Sequence, residues 1–152
     1  MSALVPPSGL QAWRGFLRAH AAVISAIEHE LESQGLVPLI WYDVLVAISS
    51  APGRRIRMSG LADELVLTRS GATRLVDKVE AARLVQREIA REDGRGAVAT
   101  LTPAGREALR KAWPVYARGI NQLFLSHLTV REVDIFIRAF DHVRHAAAVS
   151  GP

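Results

Sequence analysis

Cysteine is missing from all 152 residues, which removes disulfides, thiolate nucleophiles, cysteine-ligated zinc and sulfur-based redox sensing at a stroke. Long apolar runs are missing too. None reaches the roughly 18 residues that would suggest a membrane span, and Met1 to Gly9 carries neither the basic nor the apolar region of a secretory signal. A cytoplasmic protein without membrane contact is therefore expected. There is no glycine-rich phosphate cradle, and Ser, His and Asp show no catalytic spacing, so neither an enzyme nor a bound cofactor is expected. The five histidines are scattered. His142 and His145 share a helix turn with Asp141, but that spacing reads as a solvated helix face rather than a metal site.

What is present is a chain that is 49% hydrophobic, long enough for one compact domain with an ordinary core. Nineteen Lys and Arg against 15 Asp and Glu give a formal charge of +4, a balance suited to an anionic partner.

The ends of the chain read as helices. Trp13, Phe16, Leu17, His20, Ile24, Ile27 and Leu31 form one apolar stripe, stopped by Gly35. Pro38 suits the first position of a second helix with Trp41, Val44, Leu45 and Ile48 inward, and Ala51, Pro52 and Gly53 end it in a turn. A short extended piece, Arg54 to Arg57, follows. Then come two compact helices, one capped by Ser59 and running through Val66, the next capped by Thr68 and running through Ala82.

Leu84 to Ala90 and Ala97 to Leu101 have the composition of strands, and the polar, glycine-containing stretch Arg91 to Gly96 reads as the hairpin tip between them. Thr102 with Pro103 opens a long helix carrying Leu109, Ala112, Trp113, Tyr116, Ile120, Leu123 and Phe124 on one side. Thr129 and Glu132 form a capping box for a last helix, with Leu128 placed to staple against Val133, running to about Val149.

Two short helices, a tight turn and a hairpin suit a helix that enters the major groove of DNA while the hairpin meets the adjacent backbone. On the helix over 69–82, Ala72, Leu75, Val76 and Val79 share the inner face. The outer face then offers Arg69, Ser70, Thr73, Arg74, Asp77 and Lys78: Arg, Ser and Thr for base edges and phosphates, Lys78 for phosphate. Gly71 allows close backbone approach. Residues 54–95 hold ten Lys or Arg and seven Asp or Glu, so most of the excess positive charge lies here. Two readings dilute this. Arg74 and Asp77 could simply pair at i, i+3. Asp63, Glu64, Asp77, Glu80 and Glu92 also leave room for a winged-helix protein-interaction module that binds no DNA.

The run Asp93-Gly94-Arg95-Gly96-Ala97-Val98-Ala99-Thr100-Leu101-Thr102-Pro103-Ala104-Gly105 resembles the D-x-R-x-x-x-x-x-L-T-x-x-G signature of the MarR family of bacterial transcriptional regulators. Leu67 to Glu80 is similar to that family's recognition helix, and Trp41-Tyr42-Asp43-Val44-Leu45 fits its second helix. The resemblance implies a mainly α fold with a small β-hairpin, a winged helix-turn-helix lobe over 38–102, and dimerisation helices over 9–34 and 103–149 in one domain.

It implies a homodimer reading a pseudo-palindromic operator in double-stranded DNA, by default as a repressor. Apolar terminal helices of this length do not fit inside a core as small as a winged helix, which agrees with two-fold pairing. On the wing, Arg91, Asp93 and Arg95 are the DNA-facing candidates: Arg95 is expected in the minor groove with Asp93 orienting it. The resemblance further implies a small phenolic or aromatic effector. His20, Trp41, Tyr42, Trp113 and Tyr116 are the candidate lining of its pocket. One departure stands out: family members commonly close the recognition helix with glycine, and here Arg83 occupies that position, with strain expected if φ is positive.

Overall fold

Both periodicities of the sequence, helical at its ends and mixed in its middle, become regular structure in the computed structural model, which describes residues 4–90 and 96–149. The order is α1 (Pro7–Ser33), α2 (Leu39–Ser50), β1 (Arg55–Arg57), α3 (Met58–Glu64), α4 (Arg69–Ala81), β2 (Val85–Ile89), β3 (Ala97–Leu101), α5 (Pro103–Leu123) and α6 (Val130–Val149). It is a mainly helical fold with one small antiparallel sheet. By packing, residues 25–116 form one compact unit, and residues 1–24 with 117–152 form another.

Within the first unit the core is built on α2, whose Leu39, Tyr42, Val44, Leu45, Ala47 and Ile48 are all buried. Leu61 of α3, Val76 and Val79 of α4, Val85 of β2, and Ala99 and Leu101 of β3 close around Val44, Leu45 and Ile48. Each fully buried Val, Leu or Ile contributes about 1.5–3 kcal/mol relative to exposure. This cluster therefore fixes where α4 sits.

The extended piece after α2 turns out to be a third strand. β1 pairs with β3, Ile56 opposite Ala99, and β3 pairs with β2, Val85 opposite Leu101, giving the order β1-β3-β2. The hairpin is thus anchored to the chain that precedes the two short helices.

Local chemistry explains most boundaries. Gly35, at φ +65°, ends α1 with the Leu36 N–H on the Leu31 carbonyl at 2.9 Å. Pro38 lies one residue outside α2, because its extended ψ of 147° makes it the cap, its carbonyl accepting from Trp41 and Tyr42. α3 begins at Met58, not after a Ser59 cap: Arg57 is still in the β-ladder and the chain passes from strand to helix with no capping side chain. That helix also stops before Val66. Val66 takes φ +54°, and the Leu67 N–H closes on the Ala62 carbonyl at 2.9 Å. At α6 the capping box is formed in both directions, Thr129 N–H to Glu132 at 2.8 Å and Glu132 N–H to the Thr129 hydroxyl at 3.3 Å.

The second unit is aromatic but has no interior: among its described residues not one is buried. Phe16 meets Phe140 at 5.6 Å between ring centroids, Phe136 stacks on Phe140 at 5.4 Å and Phe124 meets Phe136 at 5.9 Å. Trp13, Leu17 and Ile137 remain exposed beside them.

Candidate nucleic-acid interface

The buried face of α4, Ala72, Leu75, Val76 and Val79, turns the opposite face outward, and Arg69, Ser70, Thr73, Arg74, Asp77 and Lys78 are all exposed on it. The helix opens on Thr68, whose Oγ1 accepts from the Gly71 N–H at 3.1 Å and lies 3.3 Å from the Ser70 hydroxyl. A Cβ on Gly71 would come to 3.0 Å of that same Oγ1, so the cap favours glycine there. The remaining N–H groups of the first turn, unpartnered within the helix, present a partial positive charge suited to phosphate. Thr73 turns its hydroxyl to the Arg69 carbonyl at 2.9 Å.

The charges on this face are sorted by a residue the sequence reading passed over. Arg87 of β2 reaches Asp77 at 2.7 Å, and its Nε donates to Glu80 at 2.8 Å while its own N–H donates to the other Glu80 oxygen at 2.8 Å. The hydrogen bonds from Arg87 hold the Glu80 carboxyl below its ordinary range. Asp77 therefore pairs with β2 and not with Arg74. Among the described residues Arg69, Arg74 and Lys78 have no ion-pair partner, so the cations of α4 are left for an external anion. Alternating charge along β2, Gln86-Arg87-Glu88, was the available signal, since every second residue of a strand faces the same side.

The exit of α4 is a Schellman turn. Arg83 N–H bonds the Glu80 carbonyl at 2.8 Å and Leu84 N–H the Val79 carbonyl at 3.1 Å, with Arg83 at φ +60°. The strain expected from placing arginine at that position is present. The turn is clamped to the next long helix: the Thr102 hydroxyl points at the carbonyls of Arg83 (2.7 Å) and Leu84 (3.1 Å), and accepts from Gly105 N–H at 3.0 Å. A Cβ on Gly105 would fall 2.0 Å from the Leu84 carbonyl oxygen. This explains why Leu101, Thr102 and Gly105 belong to one motif: they join α4, the hairpin and α5.

In the hairpin, Ala90 N–H bonds the Gly96 carbonyl at 3.1 Å, and Gly96 takes φ +84°. Arg91, Asp93 and Arg95 lie outside the described residues.

Of the five effector-pocket candidates, three come together. Tyr42 and Tyr116 lie 4.8 Å apart by ring centroids, Trp113 and Tyr116 6.3 Å, around a groove between α2 and α5. Trp41 packs against the core cluster instead, and His20 lies against Phe16 at 6.2 Å in the other unit. The groove has two lobes of about 360 and 670 Å³. Burial, with Tyr116 and Asp43 adding, pushes the Tyr42 phenol up to about 12, and burial likewise raises Tyr116. Both stay protonated hydrogen-bond donors at neutral pH. Asp43 was not among the candidates, although it sits beside Tyr42 in the sequence.

The sequence model of the MarR family matches residues 35–96. No curated protein matches the chain. Among solved structures, the chain is similar to AbsC, a MarR family transcriptional regulator from Streptomyces coelicolor, with 26% identity and TM-score 0.90 over 98% of this chain and 100% of that one. Sco3205, a MarR family transcriptional regulator from Streptomyces coelicolor solved in complex with DNA, matches with 26% identity and TM-score 0.88 over 96% and 91% of the two chains. The transcriptional regulator BldR from Sulfolobus solfataricus matches with 25% identity and TM-score 0.76 over 90% and 94%.

Proposed function

From the match of the MarR family model to residues 35–96 and the likeness to MarR family regulators, we propose that the chain is a homodimeric transcriptional regulator of that family that binds double-stranded operator DNA through α4 and the β2–β3 wing. The observation that carries this reading is the partition of charge on α4: Arg87 takes up Asp77 and Glu80, leaving Arg69, Arg74 and Lys78 without partners on an exposed face. That partition also weakens the case for a protein-interaction module, since two of the acids that diluted the basic face are neutralised from within. Sco3205, similar over most of its length, is a regulator solved on DNA.

In this account Arg69, Ser70, Thr73 and Arg74 face base edges and phosphates in the major groove, Gly71 lets the backbone approach, and Lys78 meets phosphate. Arg95 enters the minor groove, Asp93 orients it, and Arg91 contacts the backbone. The protein acts in the cytoplasm by binding rather than by catalysis, as a repressor released by a small aromatic effector in the α2–α5 groove.

The aromatic second unit supports the dimer. Trp13, Phe16, Leu17, Ile137 and Phe140 are exposed on helices with no interior of their own, and pairing two copies removes that surface from water. Footprinting on the promoter beside the chain's own gene tests the reading. Two protected half-sites about one helical turn, ~10 base pairs, apart are expected, and protection at a single isolated half-site would contradict the two-fold arrangement.

A further inference from the structure

The smaller lobe of the α2–α5 groove has a charge that the aromatic rings alone do not explain. Its wall carries Tyr42, Trp113 and Tyr116 together with the carboxylates of Asp43 and Glu64, and among the described residues no Lys, Arg or His lines it. Among the described residues neither carboxylate has a hydrogen-bond or ion-pair partner. Two unpaired acids facing three electron-rich rings is an arrangement an organic cation satisfies: carboxylates supply charge, and ring faces attract the ammonium and stack the body of the ligand. Desolvation raises the Asp43 carboxyl above its ordinary value, and the negative charge of the nearby Glu28 adds to the effect.

The larger lobe shares Tyr42, Val46, Ser50 and Trp113 and carries Arg54, Arg106 and Arg110. Two of those cations are already engaged, Arg110 with Glu107 at 2.7 Å and Arg106 with the Leu101 carbonyl at 3.0 Å. The uncompensated negative charge therefore lies in the smaller lobe, while Arg54 and Arg106 leave the larger lobe positive. A cavity of about 360 Å³ holds a one-ring ligand.

We infer that this lobe binds a small aromatic amine, its ring against Trp113 and Tyr42 and its ammonium facing Asp43 and Glu64. As the effector site of a regulator, it rests on the function proposed above; as a binding site, it does not.

Calorimetry on the full chain with phenethylamine and, separately, phenylacetate tests this, because the two share a ring and differ in the sign of the head group. The amine should bind and raise Tm, and phenylacetate should do neither. Asp43→Asn, and independently Glu64→Gln, should weaken the amine by about tenfold or more while each variant keeps the wild-type circular dichroism, and Arg18→Ala, exposed on α1 and outside the groove lining, should leave it unchanged. Phenylacetate binding as tightly as the amine, no amine binding, or full amine affinity in both acid variants would each overturn the assignment. A mobility shift with added amine separates the two levels. Amine binding without loss of the DNA complex upholds the amine site and removes its role as effector, whereas a protein that binds the amine but never DNA contradicts only the proposed function.

Discussion

Arg87 on β2 holds Asp77 on α4 at 2.7 Å, tying a side chain of the hairpin to the exposed face of the helix proposed to read DNA. The same guanidinium grips Glu80 one turn further along, so the hairpin and α4 are joined by three charges, not by core packing alone.

Arg87→Met should therefore loosen this joint. A loss of about 1–2 kcal/mol in stability at neutral pH is expected, the size of a partly exposed, charge-assisted hydrogen-bond pair. Because Arg87 holds the Glu80 carboxyl below its ordinary value of 4.5, that stabilisation is complete above pH 4.5 and is lost as pH falls through the lower native value. Acid unfolding monitored by circular dichroism should show a shallower pH dependence in Arg87→Met and in Glu80→Gln than in wild type. Identical slopes would exclude the pair as a source of acid sensitivity.

Two positions flanking α4 carry left-handed backbone without glycine, Val66 at φ +54° and Arg83 at φ +60°. Arg83→Gly should raise stability by about 1 kcal/mol and Val66→Gly by as much or more, since a β-branched residue is less at home there. Thermal melts check both. Should Arg83→Gly instead lower affinity for all DNA sequences alike, with Tm unchanged, the arginine is held there to bind phosphate.

Gly105→Ala has no comparable latitude. With the added carbon 2.0 Å from the Leu84 carbonyl oxygen, either α5 or the exit of α4 must move. We expect a loss of about 3 kcal/mol or more and disruption of DNA binding, read by urea denaturation and mobility shift on the same preparation. Wild-type stability would mean that the contact between α5 and Leu84 is not maintained in solution.

Much of the fold was legible in the sequence, and the exceptions have physical reasons. The inner face of α4, the Thr68 cap, the two strands of the hairpin and the Thr129–Glu132 box follow from local rules, and those rules hold where a side chain bonds its own helix. Ser59 failed as a cap because α3 starts one residue before it, at Met58, directly after Arg57, which pairing with β3 keeps extended. Pairings such as Arg87 with Asp77 and Glu80 join residues seven to ten apart across two elements, beyond what helical spacing can reveal. In the groove, the aromatic residues stood out by type while Asp43 and Glu64 did not, since a carboxylate on a helix is usually just solvated. Only the cavity shows them facing the same rings.

Salt should report the electrostatic share of DNA binding. The logarithm of affinity is expected to fall linearly with that of salt, with a slope of roughly 0.9 per phosphate contact, and Lys78→Ala should reduce the slope by about one contact. An unchanged slope would place Lys78 off the phosphate backbone.

The most direct test of the account is a mobility shift comparing wild type with Arg74→Ala on the promoter beside the chain's own gene, at low salt. Because Asp77 is held by Arg87, Arg74 is free to meet DNA, so the wild-type protein should give a specific complex that Arg74→Ala weakens by about 1–3 kcal/mol, the contribution of one good groove contact. A complex of equal strength in the variant, or none in wild type, would contradict the claim that α4 reads DNA.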